Sequence, residues 1–575
     1  MKSPAQGLVR LPVWRARVVL IGLAAGFAVL GARAVYLQAM RTDFLQEKGD
    51  ARYSRVLEIP ATRGRILDRN GEALAVSTPV KSVWAIPGDV QASPAVRRKL
   101  ATLLSLSRNE LERRLSDPSK DFVYLKRQVA PEVAAAVQAL GLKGVHDHPE
   151  YRRYYPGGEV TAHVIGFTGV DDAGQEGVEL AHQATLGGKP GSRRVIRDRL
   201  GRIVEDVESI RSGQDGADLA LSIDSKIQSL AYGALKAAVE RNRAKAGAVI
   251  AIDVRSGEIL ALANVPSYNP NNRARLTGAQ LRNRVITDLF EPGSTLKPFT
   301  IALALETGKL RPSTLIATAP GRMTLAKYTI RDVHPAASLS VGQVLARSSN
   351  VGSAKIALGL PRESMWDFFR RVGFGTAPEL GFPGAAAGKL RHYKTWRPVE
   401  QATLGYGMGM SLSLAQLARA YTVFARDGEL VPLTLVKTGA AVSGEKVLSA
   451  EAARAVRAML EQAVQPSATG PRARISGWRV AGKTGTAHKQ ENGGYAPDKY
   501  ISSFVGFAPV SAPRLVVAVM LDEPAAGQHY GGAVAAPVFA QIMQGALRLL
   551  AVPNDAPLDL PLDLPGDLGE AKEST

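Results

Sequence analysis

From Val18 to Ala32 the chain carries no charged residue, and Lys2, Arg10, Arg15 and Arg17 precede that run. In lipid every backbone polar group must be satisfied within the segment, so a run of this kind can span a membrane only as a helix. The uncharged stretch falls short of the roughly 20 residues a spanning helix needs. Arg33 can snorkel, and residues 34–40 extend the apolar character, which gives an expected transmembrane helix over 18–40. The basic flank keeps residues 1–17 on the cytoplasmic side, so everything after the helix is exported. A cleaved signal peptide is the rival reading, but the run is long and no clear small-residue cleavage site stands ahead of a polar mature start.

At 575 residues the chain exceeds one ordinary domain, and three or four units are expected. It contains no cysteine, which excludes disulfides, thiolate metal sites and cysteine nucleophiles. Of its eight histidines only His146 and His148 form a close pair, without clear further ligands, so no metal site is expected. The net charge of +20 is dispersed, as at Arg152-Arg153 and Arg193-Arg194 among tyrosines and glycines. That pattern reads as a basic exported surface facing an anionic membrane or wall polymer, with no nucleic-acid partner.

Chemistry concentrates in three strings, in the order Ser294-Thr295-Leu296-Lys297, Ser348-Ser349-Asn350 and Lys483-Thr484-Gly485-Thr486. A serine nucleophile needs a base within hydrogen-bond reach, and a lysine three residues later on a helix shares its face. Pro292-Gly293 breaks the preceding structure and residues 302–305 continue a helix-forming run, which puts Ser294 in a first helical turn. The free amides there favour negative charge on Ser294 Oγ and on a bound carbonyl oxygen. Singly, Ser-x-x-Lys and Ser-x-Asn recur by chance in solvated helices and caps. Ordered together, with Lys-Thr-Gly last, they are far more specific.

Gly477 to Thr484 also satisfies the pattern of a phosphate-binding loop. Trp478, Val480 and Ala481 read as a strand where that loop should be, and Gly485 with Gly493-Gly494 discourages the helix that should follow. A strand forming a cleft wall fits better, with Gly482 and Gly485 leaving room for a substrate backbone. Strict alternation would send Lys483 and Gly485 to one face and Thr484 and Thr486 to the other, unless the strand twists or bulges at the glycines.

These motifs resemble those of the class B penicillin-binding proteins, the peptidoglycan D,D-transpeptidases, and within them the division-specific, septal (FtsI-type) group. The likeness runs from Arg63-Gly64-Arg65-Ile66-Leu67-Asp68-Arg69-Asn70-Gly71 to Asp522-Glu523-Pro524 and Tyr530-Gly531-Gly532. Asn283-Arg284, Asp288 and Glu291-Pro292-Gly293 point to the division group. The resemblance implies Ser294 as the acylated nucleophile, Lys297 as the group that takes its proton, Ser348 as a relay toward the leaving amine and Asn350 as an anchor for the substrate amide. It implies Lys483 as electrostatic support, Thr484 and Thr486 as hydroxyls for the terminal carboxylate, and the backbone N–H groups of Ser294 and Thr486 as the oxyanion hole. No cofactor is implied.

The expected fold is α+β. An elongated mixed pedestal of the dimerisation type spans 41–215, and a transpeptidase domain of the penicillin-binding and serine β-lactamase kind, an antiparallel sheet with helices on both faces, spans 216–551. Asn70-Gly71 between Ile66-Leu67 and residues 73–76 is the strongest hairpin signal. Pro131 to Leu140 reads as a helix, and His182, Glu176 and Glu179 read as structural. Asp224 can cap a helix with Ile227, Leu230, Ala231, Ala234, Leu235 and Ala238 at helical spacing. Strands are expected at 248–254, 258–263, 478–484, 503–508 and 515–521, with a last helix over 537–550. The acidic, proline-rich residues 552–575 read as a disordered tail.

The expected protein is a single-pass inner-membrane enzyme whose periplasmic domain cross-links septal stem peptides, from a D-Ala-D-Ala donor to an amine acceptor, through a Ser294 acyl-enzyme that β-lactams trap. The family acts with a multi-spanning SEDS-type septal glycosyltransferase and other division proteins, with the membrane helix and pedestal as contact surfaces. Open alternatives are an elongation-type transpeptidase, a D,D-carboxypeptidase or β-lactamase, and a non-enzymatic division scaffold.

Overall fold

Pro12 stands at the start of the first helix, α1 (Val13–Val35), so the helix opens ahead of residue 18 and takes Arg15 and Arg17 into its first turns. The structure is a computed structural model that describes residues 12–40, 54–197, 203–491 and 493–557. Val13–Gln38, 26 residues, is long and apolar enough to cross a membrane, about 39 Å at the helical rise. None of the residues of α1 is buried by the rest of the chain.

The pedestal is organised by one long strand, β1 (Ala73–Ala85), flanked by β2 (Val123–Val129) and β3 (Val145–Tyr154), both antiparallel to it. The expected hairpin is present: Ile66–Leu67 pairs with the start of β1 across a turn in which Gly71 takes φ +89°. The expected helix runs Pro131–Gln138. With Pro94–Leu103 and Arg108–Leu115 it covers Val83, Ala85, Leu125 and Val145. His146 and His148 lie on β3 with their rings 4.6 Å from Trp84 and 5.7 Å from Tyr124, respectively. Among the described residues no group of three or more His, Cys, Asp or Glu could hold a metal.

Glu179 is a fully buried cross-tie. Its carboxylate accepts from Arg63 Nε at 2.6 Å and Arg153 Nε at 2.7 Å. Arg63 also donates to the Asp172 carbonyl and Gln183, and Arg153 to the Gly64 carbonyl. The next residues of the same motif clamp the pedestal onto the catalytic domain. Asp68 accepts from Ser225 Oγ at 2.8 Å, Asn70 Nδ2 donates to Asp224 at 3.1 Å, and Arg69 pairs with Glu258 at 3.4 Å.

The catalytic domain is built on five antiparallel strands, β4 (Ala246–Asp253), β5 (Ile259–Val265), β6 (Ala481–Glu491), β7 (Gly494–Ala508) and β8 (Leu515–Asp522), in the order β5-β4-β8-β7-β6. Both faces are buried, which is why these strands read as continuous apolar runs. Val249, Ala251, Val517 and Val519 pack with α2 (Ser225–Arg241), and the same cluster takes Phe539 and Ile542 of the last helix, Ala536–Leu549. Ile250, Ile252, Val516 and Ala518 join the other core with Leu417, Tyr421 and Phe424 of the buried helix Leu414–Ala425. Asp224 caps α2 by accepting from the N–H groups of Lys226 and Ile227.

Two expectations need correction. The strand expected over 478–484 begins at Ala481, because Trp478 is drawn away: its indole N–H donates to the Pro553 carbonyl and it bridges back to Ile475. Residues 554–557 are not part of a free tail. Asp555 accepts from the N–H groups of Arg479 and Ser511, and the Ala556 N–H donates to the Gly477 carbonyl. The rest of the expected tail, 558–575, lies outside the described residues, as do residues 1–11 and 41–53. The phosphate-loop pattern fails on geometry, since Lys483 and Thr484 lie inside β6 and no helix follows them.

Glu179→Ala would leave two buried guanidiniums without their carboxylate, a change that costs about 3–5 kcal/mol in such settings. The pedestal is expected to lose hydrogen-exchange protection by that amount while β4 to β8 keep theirs.

Candidate active site

The first motif sits where a tight 3₁₀ turn, Gly293–Leu296, runs into α3 (Lys297–Glu306). Ser294 therefore lies one turn ahead of the α-helix rather than in its first turn, and Pro298 occupies the early helical position that lacks an intrahelical partner. Behind the turn, Phe299 packs against Phe374, Tyr421 and Phe424, and Tyr421 donates its hydroxyl to the Thr295 carbonyl at 2.8 Å. A large aromatic cluster thus fixes the nucleophile's backbone.

Ser348 ends the turn after the helix Val341–Ala346 and holds φ +58°, a left-handed conformation that costs a serine about 1–2 kcal/mol. Its hydroxyl donates to Ser294 Oγ at 2.8 Å and accepts from Lys297 Nζ at 3.0 Å. Lys297 Nζ also donates to the Ser348 carbonyl at 2.5 Å. All three side chains are buried, with Lys297 fully so. The geometry is a chain, Lys297 to Ser348 to Ser294.

The third element of that wall was not legible in the sequence. Asp332 accepts from Ser349 Oγ and from the Asn350 N–H at 2.6 Å each, and from the Val351 N–H at 2.9 Å. It caps the helix Asn350–Leu358 from outside and fixes the loop that carries Ser348. Asn350 donates weakly to the Arg331 carbonyl at 3.4 Å, and its buried Oδ1 has no partner among the described residues. An orphaned acceptor of this kind is costly unless something else satisfies it.

Across the cleft, β6 lies against the nucleophile turn. A side chain on Gly485 would come within 2.8 Å of Thr295 Cγ2 and 2.9 Å of the Pro292 carbonyl, so only glycine permits the approach. Alternation along β6 is relieved at the lysine's tip. Lys483 Nζ folds along its neighbour and donates to Thr484 Oγ1 at 3.0 Å and to Thr469 Oγ1 at 3.2 Å. Thr469 is a further cleft residue that no sequence motif announced. Thr486 Oγ1 accepts from the Gly531 N–H at 3.0 Å, which gives the Tyr530-Gly531-Gly532 string a place beside the wall.

Glu291 ties the far end of the site together. Its carboxylate accepts from the Gly409 N–H at 2.7 Å, Gln490 Nε2 at 2.8 Å and the Tyr495 hydroxyl at 2.9 Å. Burial pushes its pKa above the ordinary glutamate value, against the lowering effect of Gly409 and Tyr495. Burial, followed by the nearby Glu291 charge, pushes the Tyr495 phenol up to about 12.

Residues 247–544 match the penicillin binding protein transpeptidase domain, and residues 58–221 match the penicillin-binding protein dimerisation domain. The chain is 44% identical over 548 residues to the probable peptidoglycan D,D-transpeptidase PenA of Neisseria gonorrhoeae, covering 95% of this chain and 94% of the relative. It is 42% identical over 549 residues to the peptidoglycan D,D-transpeptidase FtsI of Escherichia coli K12, covering 94% of this chain and 93% of the relative. The solved apo transpeptidase domain of Burkholderia pseudomallei penicillin-binding protein 3 superposes with a TM-score of 0.55 at 50% identity, over 59% of this chain and 98% of that domain.

Asp332→Ala should slow acylation of Ser294 by about 10- to 100-fold, the penalty for a small misplacement of a catalytic group, without unfolding the protein. Stopped-flow acylation and circular dichroism check both halves. Glu291 binds its proton more tightly folded than unfolded, so stability is expected to fall as pH rises through the interval between its unfolded and its raised folded pKa. Glu291→Gln should remove that part of the slope in a melting-temperature series against pH.

Proposed function

The chain belongs to the class B penicillin-binding proteins, serine-type peptidoglycan D,D-transpeptidases, and on that premise we propose that it cross-links stem peptides at the division septum through an acyl-enzyme on Ser294. The observation that carries the chemistry is the buried path from Lys297 Nζ through Ser348 Oγ to Ser294 Oγ. Ser294 Oγ attacks the carbonyl carbon of the penultimate D-alanine, and its proton passes to Lys297. The C–N bond breaks, and the terminal D-alanine leaves as an amine that takes a proton by way of Ser348. An amine of a second stem peptide then attacks the ester carbonyl, gives its proton back along the same path, and frees Ser294.

The backbone N–H groups of Ser294 and Thr486 receive the oxyanion, supported by the close packing of β6 on the nucleophile turn. Asn350 Oδ1, without a partner among the described residues, accepts from a substrate amide. Thr484 and Thr486 hold the terminal carboxylate, and Lys483, bonded to Thr484, supplies positive charge beside it. The septal assignment rests on Glu291 before Pro292-Gly293-Ser294 and on the similarity to FtsI. α1 anchors the chain once in the inner membrane with its basic N-terminus in the cytoplasm, and α1 and the pedestal meet the septal SEDS-type glycosyltransferase.

Incubation of the detergent-solubilised protein with benzylpenicillin should give a long-lived adduct mapped to Ser294 by intact mass and peptide analysis, absent in Ser294→Ala. Rapid loss of the adduct with drug hydrolysis would instead assign a hydrolase, and no adduct on folded protein a scaffold.

A further inference from the structure

We propose that the surface running from Trp366 to the β-hairpin formed by Arg322–Leu325 and Tyr328–Arg331 is a track for the glycan strand that carries the stem peptides. The proposal rests on the transpeptidase reading and adds to it a second contact with the polymer, outside the cleft.

The surface is continuous. Trp366 packs its ring 4.6 Å from His392, and His392 stacks at 4.5 Å on Tyr393. The guanidinium of Arg370 lies 5.1 Å over the Trp366 ring. Tyr393 donates its hydroxyl to Glu363 at 2.9 Å, which fixes the ring edge. Beside it, Glu400 is shared by Arg391 at 2.8 Å and Arg397 at 3.2 Å. Burial alone would raise that carboxyl, but the Arg397 N–H and the two guanidiniums outweigh it and hold it down to about 2. Arg397 in turn lies near Tyr328 on the hairpin, a residue 44% exposed whose ring carries Lys327 Nζ at 5.6 Å. The hairpin leads straight into the cleft, because the Arg331 carbonyl accepts from Asn350 and Asp332 holds Ser349.

Two properties select the occupant. His392 and Tyr328 present exposed rings with polar edges, over half-buried Trp366 and Tyr393, and such rings suit the apolar faces of sugar rings. The bases suit the carboxylates that hang from a muramyl strand: among the described residues no carboxylate pairs with Arg370, Lys394 or Lys327, whereas Glu400 is already neutralised twice over. A strand laid along this face would deliver its peptides toward Asn350, so the track raises the local concentration of the polymeric substrate without touching the reacting atoms.

The test uses the full-length protein in detergent and three probes: un-cross-linked glycan strands bearing pentapeptides, the free pentapeptide, and phosphatidylglycerol vesicles. The double variant Arg370→Glu with Lys394→Glu is expected to bind the strands at least tenfold more weakly, with free-pentapeptide binding and acylation by benzylpenicillin within twofold of wild type. His392→Ala, which removes a stacked ring and no fixed charge, repeats the test should the double reversal fail to fold, with an expected loss of at least threefold. Unchanged strand binding overturns the track. So does a loss confined to vesicles, which would make the face a membrane contact, or an equal loss for free pentapeptide, which would trace the effect to the cleft. Failure of the wild-type protein to form the Ser294 adduct would sink the transpeptidase reading itself, a result separable from all of these.

Discussion

The catalytic arrangement depends on how closely three backbones approach one another. A side chain on Gly407 would come 2.1 Å from the Gly293 carbonyl, and one on Gly485 would collide with the Thr295 side chain and the Pro292 carbonyl. The Gly293 N–H donates to the Gly407 carbonyl, which closes the contact with a hydrogen bond. Because the Gly293–Leu296 turn is caught between a loop and β6, Ser294 cannot drift from that strand. Preorganisation of this kind is what an oxyanion site requires, since its donors must already point where charge will appear.

The same constraint explains the strained serine. Ser348 tolerates a left-handed backbone because Asp332 gathers Ser349, Asn350 and Val351 from the next turn, and Lys297 binds both the carbonyl and the hydroxyl of Ser348. The hydrogen bonds to the Asp332 carboxylate are charge-assisted and offset the about 1–2 kcal/mol that the conformation costs. The strained Ser348, Ser294 and Lys297 are held by one connected network, so loss of one member is expected to disturb the others.

Much of this was legible because it follows from local rules. The turn at Asn70-Gly71, the Asp224 cap, the five core strands and the three motifs each have a chemical signature within a few residues. What escaped depends on pairs distant in sequence. Nothing near Asp332 marks it as the cap of a helix that begins at Asn350, and Thr469 reaches Lys483 only because the segment between the helix Ala450–Gln462 and β6 folds back on that strand. The late start of β6 has the same origin, since Trp478 and Arg479 are recruited by Pro553 and Asp555 from beyond the last helix. Alternation along β6 does not keep Lys483 and Thr484 apart, because a long flexible side chain can fold along the strand to meet its neighbour's hydroxyl.

The Arg63 to Gly71 motif joins the pedestal to the domain that carries Ser294. Arg63 is locked by Glu179 in the pedestal, while Asp68, Arg69 and Asn70 grip the start of α2 and Glu258 at the end of the β4–β5 turn. Glu258 also accepts from the Thr438 and Gly439 N–H groups, so one carboxylate joins the pedestal motif to the loop that follows the buried helix Leu414–Ala425. That helix carries Tyr421, which holds the Thr295 carbonyl in the nucleophile turn. The pedestal and the Ser294 turn are thereby tied by a connected set of hydrogen-bonded and packed groups, whose ion pairs are mostly buried, where salt screens them least.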